Sequence, residues 1–486
     1  MESKKTASDS NSKAIKLLIS IGLSLLALVV PPEVYCMDGL TVIEQRVIAL
    51  FIFAALMWIL EAIPIWTTSV SLIVLMLLMV SNSQFSFLNY TNELGAEQFG
   101  KLIPFKSIMA TFADPIVMLF MGGFALAIGA TKVGLDLNLA RVMLKPFGTK
   151  SEMVLMGFMV STALFSMFMS NTATAAMMLA IMAPVLRQLG DDHNGKTALA
   201  LCIPIAANVG GIGTPIGTPP NAIALKYIEE HLGVHIDFLS WMSVMVPFVI
   251  ILMAIAWFLI IHLYPFKQDR FVLQIDGSFR TDRKAIIVYI TFTVTILLWA
   301  FEKLTGVNSN VVALIPLAVF ATTGIIGKEE LKNINWDVLW LVAGGFALGL
   351  GMQESGLIKH IVTTIPFDQW SPILVLGGSG LLCCTMSTFM SNTASANLLV
   401  PILAAVGVGM GDSLAPYGGV SAMLIGIAIS ASLAMALPIS TPPNTLAHAT
   451  GYLKQKDMVF IGILVGVIGL ILGYIFTIFA STNDLL

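Results

Sequence analysis

Long apolar runs separated by short polar stretches occur along the whole of this chain. Clear examples are 17–30, 47–60 and 460–479. A membrane-spanning helix needs about 20 mostly apolar residues. A strand of a membrane β-barrel would instead show about 10 residues of alternating polarity, and these runs do not alternate. The pattern therefore predicts an all-α polytopic membrane protein with about 11 transmembrane helices.

Polar residues interrupt two further apolar stretches, 153–190 and 372–405, near their middles. In each case the interruption is Ser-Asn-Thr. These residues favour helix ends and turns, because their side chains compete for backbone hydrogen bonds. We therefore expect two re-entrant hairpins, each with Ser-Asn-Thr at its tip.

The composition excludes several classes of protein. Of the 486 residues, 57% are hydrophobic and 11% are charged, whereas soluble domains carry roughly 25% charged residues. The net charge of −3 and the lack of a basic tract give no sign of nucleic-acid binding. The four cysteines form no C-x-x-C pair, and the six histidines are scattered, so we expect no disulfide framework, cofactor or enzymatic site.

Three signatures occur twice in the same order, which predicts two copies of one unit. They are G-G-F-A-L-x-x-G from Gly122 and Gly344, S-x-F-M-S-N-T-A from Ser166 and Ser387, and P-I-x-T-P-P-N from Pro215 and Pro438. The copies are offset by 222, 221 and 223 residues. The predicted repeats are 41–265 and 282–486, joined by a cytoplasmic linker at 266–281. Residues 1–40 are predicted to form an N-terminal tail and a first, retained transmembrane helix.

The distribution of Lys and Arg predicts the orientation. If each hairpin enters and leaves on one face, loops on the N-terminal side hold 19 of these residues. Loops on the opposite side hold five, namely Lys101, Lys106, Lys226, Lys303 and Lys359. Because positive loops stay inside, the N-terminus is predicted to be cytoplasmic and the C-terminus extracytoplasmic, in the cell (inner or plasma) membrane. Five spans per repeat then make the two repeats inverted.

The second unusual element of each repeat is a Gly- and Pro-rich segment inside an apolar stretch, for example 210–220. Proline removes a backbone donor and clashes with the preceding turn, so the helix must unwind there. Unwound backbone persists in a bilayer only where protein or a cavity satisfies it, and paired interruptions indicate a transporter's binding site. Close helix packing by small residues is the alternative, and we prefer it for the G-G-F-A-L-x-x-G pair alone.

No Lys or Arg lies near these motifs in the sequence, although a dianion at membrane depth needs its charge met. Hydroxyl, amide and free carbonyl oxygens suit a hard cation, so Na⁺ is the expected coupling ion. A channel is the rival class, but duplicated hairpins that face opposite sides suit alternating access better than a continuous pore.

The chain resembles the divalent anion/sodium symporter family of dicarboxylate transporters. The resemblance is carried by Trp58-x-x-Glu61-Ala62-Ile63-Pro64, both Ser-Asn-Thr tips and both Thr-Pro-Pro-Asn segments. It implies a homodimer in membrane lipid, with a scaffold domain and an elevator-type transport domain. It also implies secondary active transport of C4/C5 dicarboxylates such as succinate, malate, fumarate and 2-oxoglutarate, coupled to Na⁺.

The resemblance further implies the residues of the site. Substrate carboxylates would be bound by Ser170, Asn171, Thr172, Thr218, Ser391, Asn392, Thr393 and Thr441. One Na⁺ would be held by Ser166, Ser170, Asn171 and Gly217, and a second by Ser387, Asn392, Ser440 and Pro442.

The chain also departs from the family pattern. Sodium-coupled relatives commonly read Gly-Ser-Gly shortly after the second Thr-Pro-Pro-Asn, where this chain reads His448-Ala449-Thr450-Gly451. His448 is a candidate charge-balancing group that would replace one Na⁺; a structural histidine at a helix end is the alternative. A Na⁺-independent dicarboxylate exchanger and a carrier of sulfate or another divalent anion therefore remain open beside Na⁺ symport.

Overall fold

The computed structural model describes residues 2–35, 37–271, 278–483 and 485–486. Within these ranges the regular structure is helical, and sheet-like pairing is limited to two isolated bridges, Ser81–Ile103 and Lys150–Arg270. The predicted all-α class is therefore confirmed. Cys36 and part of the predicted linker lie outside the described residues.

Twelve α-helices precede the linker. They are α1 (Glu2–Val29), α2 (Val42–Leu60), α3 (Ile65–Met79), α4 (Thr91–Phe99), α5 (Phe105–Ala110), α6 (Pro115–Val133), α7 (Leu135–Leu144), α8 (Ser151–Phe168), α9 (Asn171–Gln188), α10 (His193–Gly210), α11 (Pro219–Leu232) and α12 (Phe238–Leu263).

Twelve more follow it within the described residues. They are α13 (Arg283–Ala300), α14 (Glu302–Thr305), α15 (Ser309–Val312), α16 (Leu314–Thr322), α17 (Lys328–Leu331), α18 (Trp336–Glu354), α19 (Leu357–Thr364), α20 (Pro372–Phe389), α21 (Asn392–Met410), α22 (Gly419–Ser432), α23 (Pro442–Ala449) and α24 (Gln455–Thr482). Ten segments of the described chain are long and apolar enough to cross a membrane, or 11 if the bent pair α18–α19 counts as one span. Three of the ten are arms of the predicted hairpins. The other seven, the bent pair and three shorter apolar helices (Ile65–Met79, Ser309–Thr322 and Gly419–Ser432) make 11 in the described chain, the predicted number.

The same order of elements occurs on both sides of the linker. Two apolar helices and a Gly-Gly helix lead to a short helix, a hairpin, a broken helix and a long last helix. The series is α2, α3, α6, α7, α8–α9, α10–α11 and α12 in the first half, and α13, α15–α16, α18, α19, α20–α21, α22–α23 and α24 in the second. The boundaries of the two repeats and their opposite orientation in a membrane stay predictions.

Both hairpins bend at Ser-Asn-Thr. Helix α8 ends at Phe168, extended backbone follows at Met169, and Ser170 begins α9 by accepting a hydrogen bond from the Ala173 N–H at 3.2 Å. In the second hairpin, Ser391 occupies the same position before α21. Each arm has 18 or 19 residues, which corresponds to roughly 27 Å at 1.5 Å per residue. The tips are therefore deep relative to the open ends of the hairpins.

The broken helices are held open by an asparagine in each repeat. Helix α10 ends at Gly210, and α11 begins only at Pro219, because a proline pair can start a helix but not continue one. Asn221 Nδ2 donates to Gly211 O at 3.0 Å and to Thr214 O at 2.8 Å. The buried carbonyls of the unwound segment are thus satisfied by a side chain.

The second broken helix repeats this arrangement. Asn444 Nδ2 donates to Met435 O at 2.8 Å and to Leu437 O at 2.9 Å. Each asparagine is the last residue of a Thr-Pro-Pro-Asn motif. The motif that interrupts the helix therefore also supplies the hydrogen bonds that satisfy the unwound backbone.

The G-G-F-A-L-x-x-G pair forms close helix crossings, as predicted. A Cβ atom on Gly122 of α6 would lie 1.8 Å from Ala313 O, and one on Gly344 of α18 would lie 2.4 Å from Ser69 Cβ. Only glycine permits these approaches, since real Cβ atoms do not come within 3.0 Å of such neighbours. The crossings join α6 to α15–α16 and α18 to α3.

The helices pack into two groups. The hairpins, broken helices and long last helices contact one another through α8–α10, α10–α12, α12–α24, α20–α22 and α22–α24. The other group is formed by the pairs α2–α3, α3–α18, α6–α16 and α6–α13. The broken helices also pack across the repeats. Helix α11 of the first repeat packs on α21 and α22 of the second, and α23 of the second repeat packs on α9 and α10 of the first.

The assignment of Lys226 to an outside loop is wrong. Lys226 lies within α11, where it forms an ion pair with Asp114, the N-cap of α6. Its ammonium also lies 3.8 Å from the centroid of the Phe346 ring. The helix continues through this position because the charge is paired rather than solvated. Leaving Lys226 out does not alter the predicted orientation, because 19 Lys and Arg residues are still assigned to the N-terminal side and four to the opposite side.

Candidate functional site

A cavity of about 630 Å³ lies where the two groups of helices meet, and both Ser-Asn-Thr tips and both unwound segments line it. The structure brings together all eight predicted substrate residues there: Ser170, Asn171, Thr172, Thr218, Ser391, Asn392, Thr393 and Thr441. Three predicted cation ligands, Gly217, Ser440 and Pro442, also line it. The remaining two, Ser166 and Ser387, are fully buried directly behind the tips.

Four helices begin at this cavity. Their N-cap residues are Ser170 for α9, Thr218 for α11, Ser391 for α21 and Thr441 for α23, and all four line it. The first N–H groups of a helix have no partner within the helix, and the helix dipole places partial positive charge there. The cavity is therefore surrounded by an environment that favours an anion.

The donors at the four ends differ in kind. Helices α11 and α23 each start with two prolines, so their first turns supply the dipole and the threonine hydroxyl but few N–H groups. Helices α9 and α21 start with Asn-Thr and keep their first N–H groups. Direct backbone donation to a ligand must therefore come from the hairpin tips.

Behind each tip, three oxygen atoms lie close together. The Ser166 hydroxyl oxygen lies 2.5 Å from Asn171 Oδ1 and 2.6 Å from Ala207 O. A hydroxyl has one hydrogen, so it can donate to only one of these acceptors at a time. Three oxygens that share one hydrogen form a set of ligands suited to a small hard cation.

The second repeat has the same set. The Ser387 hydroxyl oxygen lies 2.8 Å from Asn392 Oδ1 and 3.0 Å from Ala431 O. The two oxygen sets therefore have matching geometry, and each includes a carbonyl, Ala207 O or Ala431 O, that sequence reasoning missed. No side-chain signal marks them, since any residue supplies a carbonyl.

Two glycines bring the first set together. A Cβ atom on Gly211 would lie 2.9 Å from Asn171 Oδ1, and a Cβ atom on Gly217 would lie 2.4 Å from Gly211 O. The unwound backbone thus approaches the tip more closely than any side chain would allow. The predicted role of Gly217 as a backbone ligand is consistent with this position.

The unwound segments are tied to the hairpins by hydroxyls from different positions. In the first repeat the Thr214 hydroxyl donates to Met167 O and accepts from the Gly217 N–H. In the second, the Ser440 hydroxyl donates to Thr388 O at 2.8 Å and accepts from the Leu437 N–H at 3.1 Å. With its hydroxyl engaged, Ser440 offers its backbone carbonyl as the better cation ligand.

His448 does not line the cavity. It lies seven residues after Thr441 on α23, which is about 10 Å farther along the helix. Its Nδ1 is buried without a hydrogen-bond partner among the described residues. His448 therefore cannot contact a bound ligand in this conformation, and its role in charge balance stays a prediction.

The charged residues that line the cavity are acids at its edge. Glu61 and Asp337 are exposed there, and the described lining contains no Lys or Arg. Glu61 has φ 48°, the left-handed region, where it caps the end of α2. The anion-favouring character of the cavity thus depends on dipoles and hydroxyls, not on side-chain cations.

Asn208 is a further residue of the site that the motifs do not reveal. It lines the cavity from α10 with 1% of its surface exposed. Its amide crosses to the other repeat, where Nδ2 donates to Thr441 Oγ1 at 3.2 Å. A contact between residues 233 positions apart leaves no signal in a single sequence.

A charged cluster lies away from the cavity, where the α11–α12 loop meets α14. His235 Nδ1 lies 3.1 Å from Glu229 Oε1, and its Nε2 lies 3.2 Å from Glu302 Oε1. Partial burial lowers the pKa of His235, but the hydrogen bond to Glu302 and the charge of Glu229 raise it, and the net pKa lies above the ordinary 6.5. Protonated His235 joins the two halves of the chain.

The sequence matches the family described as "Sodium:sulfate symporter transmembrane region" over residues 11–481. The sodium-dependent dicarboxylate transporter SdcS of Staphylococcus aureus (strain USA300) is 30% identical over 463 residues, covering 88% of this chain and 84% of that protein. The SdcS protein of strain RF122 / ET3-1 gives the same figures. The similarity thus extends over nearly the whole chain in both comparisons.

Two solved structures have a similar fold. The Alcanivorax borkumensis YdaH transporter, described as having an unusual topology, gives a TM-score of 0.53 at 13% identity, over 77% of this chain and 87% of that one. Neisseria gonorrhoeae MtrF, described among antimetabolite efflux pumps, gives 0.50 at 15% identity, over 77% and 83%. At these identities the likeness concerns the fold alone.

Proposed function

Since the chain belongs to the sodium:sulfate symporter family, and is thus a membrane transporter and not an enzyme, we propose that it carries C4/C5 dicarboxylates together with Na⁺. Succinate, malate, fumarate and 2-oxoglutarate are the proposed substrates. The resemblance to sodium-dependent dicarboxylate transporters over 88% of the chain supports this choice.

One observation carries the proposal: four helix N-termini, two from each repeat, surround a single cavity. A dicarboxylate has a negative group at each end, and each repeat offers one tip and one threonine to one carboxylate. A monocarboxylate would leave the donors of one repeat unpaired, at about 1–3 kcal/mol for each buried group. The duplicated site thus matches a ligand with two separated charges.

Na⁺ is needed because the protein supplies only partial positive charge. Each helix terminus contributes about 0.3–1 kcal/mol, or up to about 2 kcal/mol where partly buried. Moving a dianion to membrane depth requires more compensation than this. A Na⁺ ion behind each tip would place a full charge next to each carboxylate, held by the oxygens around Asn171 and Asn392.

The same asparagines would connect Na⁺ and substrate. When a cation takes the oxygens of Ser166, Asn171 and Ala207, the Ser166 hydroxyl hydrogen must rotate away from Asn171 Oδ1. Asn171 Oδ1 then faces the cation, and its amide N–H groups are directed to the other side, toward the cavity. Na⁺ would thereby order the tip before the anion binds, which couples the two solutes.

Movement of the hairpin group against the other group, an elevator mechanism, is the proposed route across the membrane. The cavity lies between the two groups, so one group carries the tips while the other supplies Trp66, Phe124 and Leu341. In the proposed orientation Glu61 and Asp337 lie at cytoplasmic helix ends, which supports an inward-facing arrangement. The homodimer implied by the resemblance is part of the same proposal.

The test is uptake of labelled succinate by purified protein in proteoliposomes. We expect saturable uptake driven by an inward Na⁺ gradient, with no uptake when choline replaces Na⁺. Uptake that needs internal dicarboxylate and ignores Na⁺ would instead identify an exchanger. Uptake of labelled sulfate without any dicarboxylate flux would overturn the proposed substrate class.

A further inference from the structure

The two threonines that end the unwound segments have different hydrogen bonds. Thr441 Oγ1 accepts from Asn208 Nδ2 at 3.2 Å and from the Asn444 N–H at 3.3 Å. Thr218 holds the matching position in the first repeat, but its side chain caps nothing and has no partner in the described structure. Both are buried and line the cavity, so the two ends of the site are not chemically equivalent.

The orientation of Asn208 follows from its neighbours. Its Nδ2 also lies 3.3 Å from Asn444 Oδ1. That atom must be the oxygen, because Asn444 Nδ2 donates to Met435 O and Leu437 O. Asn208 therefore presents its N–H groups to Thr441 and Asn444, and the direction of these hydrogen bonds is set by the network.

In the described structure Thr218 lacks such a donor from the opposite repeat. Ala207 O and Ala431 O accept the same contact from the hairpin serines, so the next residues, Asn208 and Ser432, correspond. Ser432 is buried, and its Oγ has no hydrogen-bond partner among the described residues. Asn221 Oδ1 also has no hydrogen-bond partner among the described residues. Its counterpart in the second repeat is Asn444 Oδ1, which accepts from Asn208 Nδ2. The serine side chain is too short to make the bond that asparagine makes.

We propose that Asn208 is a positioning residue that restricts Thr441 to donating, so that the two ends of the cavity select different groups. A hydroxyl oxygen has two acceptor positions and one hydrogen. Asn208 and Asn444 take both acceptor positions of Thr441, which leaves only the hydrogen for the substrate. The Thr441 end then accepts an ionised carboxylate, which has acceptors and no donor.

The Thr218 end is more permissive. Its free hydroxyl donates to a carboxylate or accepts from a group that carries N–H or O–H. The inference rests on the proposed dicarboxylate function and adds a substrate rule to it: one carboxylate is obligatory, and the opposite end tolerates a neutral amide or hydroxyl. Succinamate, the monoamide of succinate, is a probe with one end of each kind.

The experiment measures inhibition of labelled succinate uptake in proteoliposomes by unlabelled succinate and by succinamate. The readout is the inhibition constant of succinamate divided by that of succinate. Asn208→Ala restores an acceptor position on Thr441, so succinamate can bind in either orientation instead of one, and the ratio should fall about twofold. Ser432→Asn supplies the missing donor beside Thr218, so neither end tolerates the amide, and the ratio should rise about tenfold, the effect of one hydrogen bond to a charged group.

Asn138→Ala is the matched control, because Asn138 is a buried asparagine whose side chain donates to Gly134 O, the N-cap of its own helix α7. It should leave the ratio unchanged. Loss of stability lowers total uptake, but it cannot lower the ratio of inhibition constants in one variant and raise it in the other.

The outcomes separate the two proposals. Succinate uptake by wild type with the same ratio in all variants would overturn the inference and leave the proposed function standing. Wild type that takes up no succinate would overturn both. If Asn208→Ala fails to insert, Ser432→Asn decides alone: a raised ratio supports the inference, and an unchanged or lowered ratio overturns it.

Discussion

Asn171 Oδ1 lies 2.5 Å from the hydroxyl oxygen of Ser166, five residues earlier in the chain and on the other arm of the hairpin. The contact crosses the bend at Met169–Ser170, so it joins the two arms at the tip. Asn392 and Ser387 form the same contact at 2.8 Å. A group that both closes the hairpin and lines the cavity should be indispensable to transport.

Asn171→Ala and Asn392→Ala should therefore each lower Na⁺-driven succinate uptake at least tenfold, since each removes the acceptor that closes the hairpin and an amide that lines the cavity. Initial rates in proteoliposomes at equal protein content would measure this. Membrane insertion should be normal, and Asn138→Ala should transport like wild type. Full transport by either tip variant would contradict the site.

Ser166→Ala and Ser387→Ala should act on Na⁺ rather than on the dicarboxylate. Each removes one oxygen of a cation set, so the Na⁺ concentration for half-maximal uptake should rise about tenfold, the scale of one hydrogen bond to a charged group. Ser430→Ala is the control, because the Ser430 hydroxyl is equally buried but bonds to Gly426 O in its own helix. An altered succinate KM with unchanged Na⁺ dependence would argue against cation binding there.

Lys226→Met should destabilise the protein strongly. The side chains of Lys226 and Asp114 are 12% and 14% exposed, and removing one member of a buried pair leaves an uncompensated charge at about 3–5 kcal/mol. Thermal unfolding in detergent should show a lower Tm. Adding Asp114→Asn should recover much of the loss, because asparagine still caps α6. Equal Tm values for the single and double variants would show that the pair contributes little.

The His235 cluster predicts a pH dependence of stability. A group whose folded-state pKa is raised stabilises the fold below its unfolded pKa, here the ordinary 6.5, and that contribution disappears as the pH rises through the folded value. His235→Gln should thus lower the Tm below pH 6.5 and have progressively less effect at higher pH. A Tm difference that is the same at every pH would rule out a titrating bridge to Glu229 and Glu302.

The predicted orientation of the chain in the membrane can be tested by labelling single cysteines. A cysteine at Lys145 should react only with reagent on the cytoplasmic side, and one at Lys359 only with reagent outside, because 19 Lys and Arg residues mark one face. Both positions are exposed. Reversed accessibility would invert the topology, and with it the side to which the cavity opens.

Much of the site was predictable because it is built from short motifs that occur twice. Ser-Asn-Thr and Thr-Pro-Pro-Asn combine polar side chains with helix breakers in apolar surroundings, and each is a local signal. The hairpin bends at Ser170 and Ser391 and the breaks before Pro219 and Pro442 lie where these motifs indicate. The eight predicted substrate residues all reach the cavity for this reason.

The parts that could not be predicted depend on contacts between distant positions. Lys226 resembles a loop residue until Asp114, 112 positions away, is placed beside it. Asn208 belongs to neither duplicated motif, and its hydrogen bond to Thr441 forms only because α23 packs against α10. The hydroxyl tether comes from Thr214 in one repeat and Ser440 in the other, which alignment of the two copies cannot show.

The crossed packing of the broken helices has a consequence for biosynthesis. Helix α11 belongs to the first repeat but packs on α21 and α22, and α23 of the second repeat packs on α9 and α10. When only the first repeat has been translated, the α8–α9 hairpin lacks its contact with α23, and helix α11 lacks its contacts with α21 and α22. The carrier is therefore assembled late, after nearly the whole chain has been inserted. A chain that stops at the linker cannot act as half a transporter, since each copy completes the other.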